Sequence, residues 1–188
     1  MAGIAIRTLL LGALLAGIGL VALTAGVADR SGPTAPADAW PWQSIAWRFP
    51  RDAWPAGRSY RCPAARCGVQ LDVHIRPKVG FCNCTTGVTD DEEVDRVSDL
   101  DLISAQFTPQ GAGVAVGIAH LKGRARDYRL QRADGTVSHA RGVALSRGCD
   151  LIVTVVEGSI GANEPALSDV LATAVTGWVR DSLDGRSR

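Results

Sequence analysis

Cysteine is the residue type best placed to do chemistry in this chain of 188 residues, which contains five of them. Cys62 and Cys67 bracket four residues, and Cys82 and Cys84 bracket one. Three chemistries suit such a set. In an oxidising compartment the thiols form structural disulfides, which restrict the unfolded chain. With Cys62, Cys67, Cys82 and Cys84 as thiolates, the cluster would instead hold zinc or copper, with His74 as a weak additional ligand. Cys82 and Cys84 could also exchange as a redox pair, although the C-x-x-C spacing is absent and no Lys or His adjoins them. The disulfide reading is favoured and needs no cofactor; zinc or copper belongs to the alternative. A bridge within Cys82-Asn83-Cys84 would be strained, so the expected pairing joins each of these to Cys62 or Cys67. Cys149 opens an apolar run and is expected to be a buried, unreacted thiol.

Other candidates are electrostatic. Lys122–Arg147 is rich in arginine, and Arg124, Arg126, Arg129, Arg132 and Arg141 would form a basic stripe suited to an anionic partner. Most of these positions are also what the solvent face of an antiparallel sheet would carry. The acidic segment Asp90–Asp101 lacks the calcium-loop pattern and reads as a solvated helix face. No nucleophile elbow, P-loop or dinucleotide fingerprint occurs. The histidines His74, His120 and His139 have no recognisable partner set in the sequence, so no residue is named as catalytic.

The elements that must position these residues follow from periodicity. Ile45, Trp47 and Phe49 alternate as a strand would, ended by Pro50. Val69, Leu71, Val73 and Ile75 alternate with Gln70, Asp72, His74 and Arg76, which predicts a half-solvated strand stopped by Pro77. Thr89-Asp90-Asp91-Glu92 is a capping box opening a short helix. Strand-like runs at Gly113–Leu121, Ala125–Ala133, Thr136–Leu145 and Cys149–Glu157 predict a four-strand meander, with Asp134-Gly135 as a hairpin turn. Leu167, Val170, Leu171, Ala174, Val175 and Trp178 share one face of a closing helix. The expected fold class is α+β: an antiparallel sheet, mainly the C-terminal four-strand meander, covered by a long C-terminal amphipathic helix. With its early Trp47-Arg48-Phe49-Pro50 strand, later meander and closing helix, the chain resembles PsbP/Mog1-like domains, which implies the same layout.

Residues 1–28 read as a signal anchor or signal peptide, because Arg7 precedes an uncharged run from Thr8 to Ala28. Twenty-one uncharged residues favour the anchor, while Gly26 and Ala28 would suit a cleavage site. The positive-inside bias keeps Arg7 in the cytoplasm and the rest outside. Residues 29–43 form a Pro-rich linker, with Trp40 and Trp42 expected to pack on the domain, and 44–185 a single extracytoplasmic domain. The inner membrane is thus one expected partner, through the N-terminal helix, and a protein is another. Nucleic acid is excluded as a partner, since 20 basic and 19 acidic residues nearly cancel. The expected function is a membrane-tethered periplasmic binding or accessory module.

Overall fold

The computed structural model describes residues 40–50, 52–80, 84–161 and 164–184, the last with side chains from 167 to 177. The leader and most of the linker lie outside the described residues, as does Cys82. Among the described residues no helix is long and apolar enough to cross a membrane.

The chain builds one antiparallel sheet of eight strands: β1 (Gln43–Ile45), β2 (Arg58–Cys62), β3 (Leu71–Lys78), β4 (Gln106–Pro109), β5 (Val114–Ile118), β6 (Leu121–Gln131), β7 (Val137–Arg147) and β8 (Asp150–Glu157). Their order is β1-β2-β3-β8-β7-β6-β4, and β5 pairs the remaining length of β6. Four helical segments accompany it: α1 (Ala64–Cys67), α2 (Asp91–Val97), the 3-10 turn η1 (Asp99–Leu102) and α3 (Glu164–Asp184). Asp90 caps α2 by accepting from the Glu93 amide at 2.8 Å, one residue later than the capping box predicts.

The expected architecture is therefore corrected. The meander is half of a larger sheet that dominates the molecule, because β1, β2 and β3 join it through β3–β8 pairing and β4 adds an edge. Nor does one long helix do the covering. On one face, Leu167, Val170, Leu171, Ala174 and Val175 of α3 pack with Leu71, Val73, Ile75, Val143, Leu145 and Val156. Trp178, expected on the same helical stripe, is outside the described side chains. On the other face, Val94 and Val97 of α2 pack with Ala144, Leu151 and Val153, and Leu100 of η1 with Tyr128, Leu130, Ala140 and Val155. Each such aliphatic burial is worth about 1.5–3 kcal/mol before entropy is counted.

Two local readings also change. Trp47–Pro50 is not a strand, so the segment that carried the family resemblance does not have the expected conformation. It begins a strap, described over 46–50 and 52–57, that lies over the sheet. Pro77 does not stop β3, which runs on to Lys78. Because β2 pairs β3 only as far as Ile75, that flank is open at Pro77, where a missing N–H disrupts no strand pairing. Trp42 is buried in the core while Trp40 is exposed.

Candidate functional site

The cysteines do not converge. Cys62 bonds Cys67 across α1, with Cα atoms 6.1 Å apart, and Cys84 bonds Cys149, with Cα atoms 4.1 Å apart. The expected cross-pairing is corrected, and so is the inert buried thiol, since Cys149 is exposed and bridged. The reason is the length of β3. Cys62 lies opposite Leu71, whereas Cys149 adjoins the other end, where Leu151 lies opposite Lys78. Those ends are roughly 23 Å apart at the usual strand rise. Cys149 sits in the two-residue β7–β8 turn, which Gly148 enters at φ 57°. Among the described residues no group of three or more His, Cys, Asp or Glu side chains could hold a metal ion.

Chemistry-bearing side chains gather instead on the polar face of β3, which was expected to be solvated. Asp72, His74, Arg76 and Lys78 are all buried, His74 to 4% exposure. Burying charge is unfavourable unless every group is paired, and here each has a partner. Asp72 accepts from Arg61 through both oxygens, at 2.7 and 2.6 Å. Arg76 donates to Asp99 at 2.5 and 2.6 Å and to Asp52 at 2.8 Å. Lys78 donates to the Val97 carbonyl at 2.7 Å and lies 2.8 Å from Asp99. The acidic segment is thus not a solvated face: Asp99 is buried within it as the counter-ion of two cations.

His74 is the centre of this ladder. Its Nδ1 lies 2.9 Å from Ser59 Oγ and its Nε2 3.0 Å from Glu157 Oε1. An ionised carboxylate only accepts, so Nε2–H donates to Glu157, while the Ser59 hydroxyl is hydrogen-bonded to Nδ1 on the other side of the ring. Arg48 also donates to Glu157 Oε1, and Arg132 to Oε2. Burial works to raise the Glu157 pKa, but His74, Arg132 and Arg48 outweigh it and bring the group down to about 2. The strap closes over this cluster. Trp47 and Phe49 meet the His74 ring edge-on, with centroids 6.3 and 4.8 Å away. Arg76 stacks on Trp47 and Lys78 on Trp54 as cation–π pairs. Gly57 lets the strap approach this closely, since a Cβ there would lie 2.2 Å from the Trp47 ring and 2.4 Å from the Ile75 carbonyl.

Ser59, His74 and Glu157 stand in the order of nucleophile, base and orienting acid. Their setting opposes that chemistry. Ser59 is 1% exposed beneath the strap, and two arginines neutralise Glu157. The network ties β2, β3, β8, the strap and Arg132, which directly follows β6, together. Sequence reasoning missed Ser59 and Glu157 as partners of His74, because the three residues meet only through the β2–β3–β8 register.

The five arginines of the basic stripe divide between two faces. Arg124 pairs with Asp91 at 2.5 Å, Arg126 with Asp95 at 2.7 Å, and Arg132 with Glu157, all on the α2 face. Tyr128 on the same face donates to Asp95 at 2.6 Å, and burial followed by that carboxylate pushes its pKa up. Arg129 and Arg141 alternate with these and lie on the α3 face, where Arg141 pairs with Asp127 at 2.7 Å and Arg129 is exposed.

No family model and no curated protein matches the chain. Among solved structures it is similar to a crystal structure of PA94 from Pseudomonas aeruginosa, a protein of unknown function described as a candidate regulator. The identity is 18% and the TM-score 0.43, over 70% of this chain and 94% of that chain.

Proposed function

We propose that the protein is a membrane-tethered, extracytoplasmic domain that serves as a binding or accessory module for a partner protein. The observation that carries this reading is the pair of cystine bridges, Cys62–Cys67 and Cys84–Cys149. Bridges of this kind form and persist in oxidising compartments and are rare where thiols are kept reduced. The uncharged run Thr8–Ala28 after Arg7 supports the tether. The role of binding module is supported by the site itself, because its buried ionic network holds strands together and leaves Ser59 no approach for a substrate.

Topology is tested with a reporter fused after Arg188. It should be active only outside the cytoplasm, in a membrane-bound product that starts at or near Met1. A soluble product starting at Asp29 would replace the anchor by a cleaved signal. A reporter active in the cytoplasm would overturn the reading. Crosslinking in intact cells should then give a discrete adduct with a second protein.

A further inference from the structure

The pairing of the basic side chains leaves one part of the sheet unaccounted for. The apolar α3 face runs through Ala125, Val143, Leu145 and Val156 beneath the helix. Toward β4 the same face continues, by strand register, through Thr108, Arg129, His139, Asp127 and Arg141. There it opens into a cleft of 350 Å³ lined by Gln110, Asp127, His139, Arg141, Gly158 and Ser159 among others. A second hollow of 370 Å³ lies beside it across the Arg129–His139 pair, over Gln106, Thr108 and Gln131.

Charge is segregated between the two faces. Asp72, Asp91, Asp95, Asp99 and Glu157 all lie on the α2 face, each bonded to an arginine. Asp127 is the only acid lining the clefts, and both of its oxygens accept from Arg141, at 2.7 and 3.1 Å. Arg129 and His139 stand opposite each other and exposed, without an acid of their own among the described residues. From β4 to the end of β8 the path is roughly 14 Å, the reach of about four residues of extended chain. The exposed Gln106, Gln131 and Ser159 side chains along it offer hydrogen-bond partners for a peptide.

The geometry points to this surface as the docking site for an acidic, extended peptide segment of the partner protein. The inference rests on the binding-module reading and adds the chemistry of what is bound. A recessed cleft crossing three strands suits a peptide better than a flat anionic membrane surface, which a convex basic patch would meet.

The test uses the full-length chain in non-ionic detergent at low salt, with fluorescein-labelled hexaglutamate as the probe and anisotropy as the readout. Saturable binding is expected, with none to hexalysine. Arg129→Glu and His139→Glu, both exposed positions, should each weaken it by about tenfold, the effect of losing one charge-assisted hydrogen bond. Arg147→Glu, exposed at the far end of β7, should leave it within about twofold, as expected for a charge outside the contact. No saturable binding, an equal loss with Arg147→Glu, or binding only to phosphatidylglycerol vesicles would each overturn the proposal. The outcomes separate cleanly from the parent reading: the reporter and the cellular crosslink test the module, and the hexaglutamate titration tests this surface alone.

Discussion

Glu157 illustrates how one side chain can hold a domain together and be invisible in its sequence. It ends β8 as an ordinary acid, yet it accepts from His74, Arg48 and Arg132 at once. Its pKa lies near 2 rather than the ordinary 4.5, so the folded state holds it ionised more tightly than the unfolded state does. That contribution, about 3 kcal/mol, is full above pH 4.5 and is lost as pH falls toward 2. Urea unfolding at a series of pH values should show this loss, and Glu157→Gln should flatten it. At neutral pH the same substitution should cost on the order of 3–5 kcal/mol, because three donors would lose their charged acceptor in a buried setting. A second residue predicts the opposite sign. Thr154 is buried and its hydroxyl has no partner among the described residues. Thr154→Val should therefore be neutral or stabilising by about 1 kcal/mol in the same assay.

At the scale of elements, β3 shows what periodicity can and cannot give. The alternation of Leu71, Val73 and Ile75 with Asp72, His74 and Arg76 correctly marks a strand with two unlike faces. It assigns the polar face to water, because alternation cannot reveal that Asp99, Asp52 and Glu157 will arrive from elsewhere to neutralise it. β2 escaped notice for a related reason, since Arg58-Ser59-Tyr60-Arg61 carries too much polarity to read as a strand until its partners are known. Turns and caps were more legible: Asp134-Gly135 closes β6 onto β7, with Arg132 N–H donating to the Thr136 carbonyl at 2.9 Å. The two bridges differ as elements too. Cys62–Cys67 spans 5 positions and Cys84–Cys149 spans 65. Restriction of the unfolded chain grows with loop length, so removing the long bridge should cost about 4 kcal/mol and the short one about 2. Comparing Cys149→Ala with Cys62→Ala in denaturant tests this, and it reverses the order expected when Cys149 is read as an unpaired thiol.

For the molecule as a whole, composition and the apolar N-terminal run motivate the proposal, and strand pairing sets the fold. Near-neutral charge, one apolar N-terminal run and a cysteine-bearing domain lead to the proposed exported module without any structure. The sheet's full extent was not legible, because β3–β8 pairing brings together segments some eighty residues apart, and no local pattern encodes such a contact. The candidate surface was half legible: Arg129 and Arg141 were named with three neighbours, and only strand register separates them from Arg124, Arg126 and Arg132. The most direct test of the proposed export and of the two bridges is a non-reducing peptide map of the full-length protein, expressed with its own N-terminal segment and alkylated in the cells. It should find Cys62 linked to Cys67, Cys84 linked to Cys149, and Cys82 alkylated as the one thiol. Five alkylated cysteines, or a bridge from Cys82 or Cys84 to Cys62 or Cys67, would contradict the account.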